Sequence, residues 1–304
     1  MDTNHKLIKA AQGLALLAAA VTPFLVSSPA TATQSSFCGM RGDFARTPRL
    51  NIFGLTSDQR LVRFKECQPS RLREVGSVSG LQDDDTALVG IDFRVQDGEL
   101  YGLGDGGGIY TIDTATAVAA KATELTVDLQ GDSFGVDFNP AADALRIISD
   151  TGQNLRHPFA GPLQFQTQTD MALNYTPGTN ATGVTGAAYT NNDLDANTGT
   201  TLFDIDTMLD QTTIQSPPNN GSLVAAGLLT VDVDTTAGFD IYTRLRKDVA
   251  VANHAFATLV VGGQSGFYRV NLLAGTAVLI GNFSSDRTDD FGDPVIDIAI
   301  PLKQ

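Results

Sequence analysis

Four aspartates recur at one place in a repeated pattern. Asp92 stands in VGIDF (89–93), Asp137 in FGVDF (134–138), Asp240 in AGFDI (237–241) and Asp297 in VIDIAI (295–300), while Ala188 takes the same place in VTGAAYT (184–190). Carboxylates turned toward a common point repel one another unless they are protonated, hydrogen-bonded or neutralised by a cation. Two chemistries follow. A divalent ion held by these acids could activate water for hydrolysis or lactone opening. Alternatively, each acid hydrogen-bonds to the backbone of its own or an adjacent unit and recurs because the unit recurs. The local reading is preferred.

The stretch TNNDLDANTGTTLF (190–203) sets Asp193, Asp195 and Asn197 at every second position, followed by Gly199. These resemble the first oxygen ligands of a calcium loop. Thr198, however, stands where that loop needs glycine, and no bidentate acid follows in the expected position. A polar turn between two strands is the preferred reading, with Ca2+ as the alternative. Asp286, Asp289, Asp290 and Asp293 in DRTDDFGD form a further candidate cation loop of the same standing.

Two other patterns look chemical and fail on context. GLGDGGG, from Gly102, is not followed by a helix whose N-terminus could cradle phosphate, and reads as a hairpin turn. GDSFG (131–135) puts Ser133 in a G-x-S-x-G pattern, but in the order loop then strand, opposite to a hydrolase elbow. His157 and His254, the bases available to it, fall in a third strand and in an individual segment of the fifth unit. No catalytic residue is therefore assigned, and a binding role is preferred to an enzymatic one.

The elements that would position these acids follow from internal repetition. ELYGLGDGGGIYTI after VGIDF has the strand–turn–strand layout of ALRIISDTGQNLR after FGVDF, and NIFGLTSDQRLVRF from Asn51 aligns with the former without a gap. Two longer units begin at VTGAAYT and AGFDIYT, each supplying four strands. The first unit supplies only three, and an orphan strand, VIDIAI, ends the chain. A ring of four-stranded sheets explains both anomalies, with the C-terminal strand completing the N-terminal blade. The expected fold is all-β, a five-bladed β-propeller; a six-bladed propeller or a β-sandwich is the alternative.

Residues 1–32 read as a signal peptide: Lys6 and Lys9, then an apolar run, then Ala30-Thr31-Ala32. Residues 33–48 read as an N-terminal extension and 49–304 as a single propeller domain. The expected location is secreted, periplasmic or on the cell surface. The formal net charge of −14 disfavours nucleic acid and anionic membranes and favours cations. No later stretch is long and apolar enough to span a membrane. Cys38 and Cys67, the two cysteines, are expected to form a disulfide in an oxidising compartment.

GVDFNPAADALRIISDTGQNLR, GAAYTNNDLDANTGTTLFDID, QSPPNNGSL and AGFDIY together resemble a bacterial family known as domain of unknown function 4394. The likeness runs from about residue 50 to 300. It implies an exported, propeller-like domain, found alone or within larger surface proteins, to which no reaction is assigned. RLRKDVAVANHAFA in the fifth unit departs from the pattern. The resulting expectation is a monomeric, non-catalytic propeller that binds a protein, glycan or envelope component through its loop face. The connections at 170–183, 215–222 and 244–255 are the places to look. A metal-dependent hydrolase or lactonase with axial carboxylates, and a purely structural surface module, are the alternatives.

Overall fold

The computed structural model describes residues 50–283 and 293–302. In chain order the strands are β1 (Asn51–Thr56), β2 (Arg60–Lys65) and β3 (Gln68–Ser77); β4 (Leu88–Phe93), β5 (Leu100–Gly104), β6 (Gly108–Ile112) and β7 (Ala119–Glu124); β8 (Phe134–Asn139), β9 (Ala144–Ser149), β10 (Asn154–Pro158) and β11 (Gln168–Thr169); β12 (Val184–Tyr189), β13 (Leu202–Asp206), β14 (Gln211–Gln215) and β15 (Leu223–Leu228); β16 (Ala237–Arg246), β17 (Val249–Val261), β18 (Gln264–Val270) and β19 (Ala277–Asn282); and β20 (Val295–Ala299). They form five antiparallel four-stranded sheets.

Four of the sheets are consecutive in sequence. The fifth has the order β20-β1-β2-β3, so the last strand is the innermost strand of the first blade. Leu55 lies opposite Asp297 and Phe53 opposite Ala299 in that closing pair. The innermost strands β4, β8, β12, β16 and β20 pack each on the next, and β20 returns to β4. The architecture is a five-bladed β-propeller, neither a sandwich nor a six-bladed ring.

Five apolar clusters fill the wedges between neighbouring blades. Leu103, Ile109, Val136 and Ile147 lie between the second and third blades, for example, and Ile205, Phe239, Ile241 and Leu259 between the fourth and fifth. Strand alternation produces this: in β9, Leu145 and Ile147 face one neighbour while Ile148 faces the other. Each sheet is thus buried on both faces, which is why β8, β9, β12 and β13 are almost wholly buried.

The glycine of the G-x-D pattern has a packing reason. A Cβ on Gly135 would meet the Ala187 backbone nitrogen at 2.7 Å, and one on Gly238 would meet Cα of Asp297 at 2.5 Å. At these two positions the innermost strands approach too closely for a side chain, whereas Val295 takes the corresponding place in β20.

One segment differs from expectation. The stretch 244–255 is a hairpin with one register shift at Arg244/Leu245 and not a loop: β16 runs to Arg246, β17 starts at Val249, and Lys247 and Asp248 turn the chain with φ of 54° and 62°. Two-residue turns with positive φ at both positions match the twist of paired strands. The hairpin extends the fifth blade beyond its neighbours, whose innermost strands are six residues long or shorter.

Candidate functional site: the axial carboxylates and the cleft between blades four and five

Alternation along the innermost strands turns Asp92, Asp137, Asp240 and Asp297 toward the next blade, and all four are buried. Each takes a backbone N–H from that blade. Asp92 Oδ2 accepts from Phe138 at 2.8 Å, Asp137 Oδ1 from Tyr189 at 2.9 Å, Asp240 Oδ2 from Ile300 at 2.6 Å and Asp297 Oδ2 from Ile91 at 2.8 Å. The bonds run in one sense around the axis and are interrupted at Ala188. Asp92 and Asp297 also accept from the residue that follows them, Phe93 and Ile298.

Asp92, Asp137 and Asp240 each offer a carboxylate oxygen within 4.8 Å of the others. Burial raises all four acids. Asp92 and Asp137 stand well above the usual carboxylate range, first through desolvation and then through neighbouring carboxylates, Asp240 beside Asp92 and Asp92 beside Asp137. Asp297 is likewise raised by burial, and Asp240 is pushed up to about 7 by the same cause. Such a group holds protons or a cation in place of its own charges. One oxygen from each of three carboxylates is fewer than the six to eight that calcium takes. Waters or a substrate would have to complete the shell.

The Asp193 turn is built differently. Asp193 is buried; Oδ1 accepts from the Asp195 N–H at 2.9 Å and Oδ2 from the Ala250 N–H of β17 at 2.7 Å. Asp195 Oδ1 accepts from both the backbone N–H and the side-chain amide of Asn197, and these bonds hold its carboxyl below the usual range. Asp193 faces two main-chain donors and Asp195 faces both the N–H and the side-chain amide of Asn197, so both acids are engaged in hydrogen bonds of the turn and hairpin. Asn191 and Asn253 exchange hydrogen bonds of 3.0 and 2.8 Å, and Asn192 donates its side-chain amide to Ile241 O and its backbone N–H to Thr243 Oγ1. The long turn is therefore a brace that fastens the fourth blade to the projecting hairpin.

Of the other candidates, Asp293 lies 3.5 Å from Arg60, while Asp286, Asp289 and Asp290 lie outside the described residues. Cys67 sits in the β2–β3 turn, and Cys38, its expected partner, also lies outside them. Ser133 Oγ is 3.1 Å from Thr236 Oγ1 and has no histidine beside it; His157 contacts Thr167 and His254 contacts Arg269. Burial pushes both histidines down to about 4, with the charges of Arg269 and Arg244 assisting at His254. Residues 105–107 form a hairpin turn in which Asp105 accepts from the Thr86 and Ala87 N–H groups.

The structure adds two features that the motifs did not show. A cleft of about 530 Å³ opens at the foot of the hairpin, lined by Asn253, His254, Asn271, Leu273, Thr276 and Val278 among others. Between blades three and four, Arg146 is buried and donates to Asn154, Asp170 and Asn219 at 2.7–2.8 Å. Asp204, opposite Thr213 in the same seam, is fully buried, and desolvation lifts its carboxyl well above the ordinary range. The 170–183 and 215–222 connections close this seam over each other, with Met171 donating to Asn219 O and Asn174 to Gly221 O.

Among the described residues no helix is long and apolar enough to cross a membrane. No curated protein matches the chain. Among solved structures, the chain is similar at 11% identity to hydrazine synthase from Kuenenia stuttgartiensis, over 67% of this chain and 51% of that one, with a TM-score of 0.39. A protein of unknown function from Bacteroides thetaiotaomicron is 12% identical over 83% of this chain and 65% of its own, with a TM-score of 0.42. Glutaminyl cyclase from Myxococcus xanthus is 12% identical over 65% of this chain and 70% of its own, with a TM-score of 0.38. The chain thus spans about half of the hydrazine synthase chain and less than two thirds of the Bacteroides one. The model of the family described as a domain of unknown function, 4394, matches residues 60–299, from the start of β2 to the end of β20, and the chain belongs to that family.

Proposed function

We propose that the protein is an exported, non-catalytic binding module that takes a glycan or envelope component in the cleft between blades four and five. The observation that carries this reading is the construction of the cleft. A hairpin longer than any other among the described residues rises beside it, braced by the Asp193 turn, and the cleft is lined by amides, apolar groups and the imidazole of His254 with the Arg269 guanidinium 2.8 Å from its Nδ1. A concave site of several hundred cubic ångströms with a few directed polar groups is the usual form of a ligand seat. His254, neutral at physiological pH, supplies a hydrogen-bonding edge without a fixed charge.

The test uses Leu273→Glu, a residue 68% exposed at the rim, whose replacement touches no core contact. Wild-type protein is expected to retain a component of a polysaccharide and envelope panel that the variant releases, at unchanged melting temperature. Equal retention by both, or none by either, removes the reading.

A second reading rests on Asp92, Asp137 and Asp240 standing within 4.8 Å of one another. With a divalent ion and coordinated water they would form a hydrolase or lactonase centre. That reading expects stoichiometric metal in purified protein and loss of metal and turnover together in Asp137→Asn. Metal content unchanged by that substitution excludes it.

A further inference from the structure

We propose that the β2–β3 hairpin of the first blade is a separate site for acidic glycans, independent of the cleft between blades four and five. Arg63, Lys65, Arg71 and Arg73 are all exposed and line one cleft of about 260 Å³ together with Asn51 and Gln68. Arg63 and Arg73 are directly opposite one another in the β2–β3 ladder. Like charges facing across a ladder destabilise a sheet. Among the described residues none of the four forms an ion pair, whereas nearby Arg60 is served by Asp58, Glu74 and Asp293.

A chain of net charge −14 has acids to spare for neutralising such a group, yet among the described residues no acid forms an ion pair with these four cations. Leu72 and Phe64, alternating with these cations, are buried in the wedge beside the fifth blade, so the hairpin cannot turn its charges elsewhere. The chemistry of the cleft fits its occupant. Strands about 4.8 Å apart, with same-face residues about 6.8 Å apart along each, root these side chains close enough to meet the spaced carboxylates or sulfates of one oligosaccharide. The amides of Asn51 and Gln68 beside them suit hydroxyl groups, which an acidic sugar carries between its charges and an acidic peptide does not. Screening over about 8 Å at physiological salt confines repulsion from acids elsewhere on the ring, while contacts inside the cleft persist.

The experiment measures binding of oligogalacturonate and of polyglutamate matched in charge, by calorimetry at low and physiological salt, to wild type and to Arg63→Gln/Arg73→Gln. Oligogalacturonate is expected to bind wild type more tightly than polyglutamate, and the double variant about tenfold or more weakly. The same variant should melt higher than wild type, since an opposed pair of like charges has been removed. Leu273→Glu should leave this binding intact, so failure here and failure of the cleft reading are told apart. Absence of oligogalacturonate binding at low salt, equal binding by polyglutamate, or undiminished binding by the double variant overturns the proposal.

Discussion

Asp137 Oδ1 accepts a 2.9 Å hydrogen bond from the backbone N–H of Tyr189, across the boundary between the third and fourth blades. The repeated aspartate is thus a tie between sheets before it is anything else. Asp137→Ala should strand the Tyr189 N–H in a buried seam and lower stability by about 1–3 kcal/mol. Asp137→Asn keeps an acceptor and should lose less. Denaturant unfolding of both variants measures the difference, and an alanine variant as stable as wild type would contradict the role.

The axial acids also make stability depend on pH. Asp240 is raised from 3.8 to about 7 in the folded protein by burial. A carboxyl with a raised folded value contributes stability that is full below its unfolded value and is lost as pH rises through the folded one. Asp240's contribution should therefore be lost between about pH 4 and pH 7, and those of Asp92, Asp137 and Asp297 at higher pH, while His157 and His254, held neutral down to about 4, add stability as pH rises toward 6.5 in wild type and in Asp240→Asn alike. Asp240→Asn should remove the Asp240 loss, read as the difference in melting temperature from wild type up to pH 7. Divalent cation that restores the melting temperature at alkaline pH would mark an ion site; no recovery would leave protons as the natural occupants.

Asp193 makes one bond within its turn and one to Ala250 of the hairpin. Asp193→Ala should lower stability by about 1–2 kcal/mol and speed amide exchange at Ala250 and around the hairpin tip, leaving the axis protected. Hydrogen exchange read residue by residue tests this. Calcium added to wild type should not protect the turn further.

Arg146 is buried between blades three and four, and Asp170 pairs with it at 2.8 Å and with Arg156 at 3.3 Å. Arg146→Ala would leave Asp170 only the more exposed Arg156 and should cost about 1–3 kcal/mol. Arg146→Met, which fills the space, should lose as much only if the pairing rather than the volume holds the 170–183 connection in place. Urea unfolding, with proteolysis of that connection as a second readout, separates the two.

The ring was legible because its signature repeats: a glycine at the close approach of innermost strands and, in four of the five strands, an aspartate that reaches the next strand. VIDIAI could be matched to the other innermost strands on those grounds, although Val295 stands where the others have glycine. The hairpin of 244–255 was hidden by its charges. Arg244, Arg246, Lys247 and Asp248 read as a solvated loop, whereas the alternation of Val249, Val251 and Asn253 belongs to a strand. The Arg146 seam left no local mark, since Arg146 lies in β9, Asp204 in β13 and Asn219 in a turn between two later strands. Likewise the two clefts are made by side chains from separate strands, and one-dimensional spacing does not record which strands meet. For the acids, repetition disclosed the equivalence of the positions but not the direction of their bonds, which depends on the handed packing of one sheet on the next.

The pairing of β20 with β1 has a consequence for how the molecule comes into being. Any nascent chain halted short of Val295 lacks the innermost strand of the first blade, and the Leu55 edge stays bare. Ring closure thereby waits for residues 295–300, and a chain stopped before them remains an open arc with one edge of β1 unpaired.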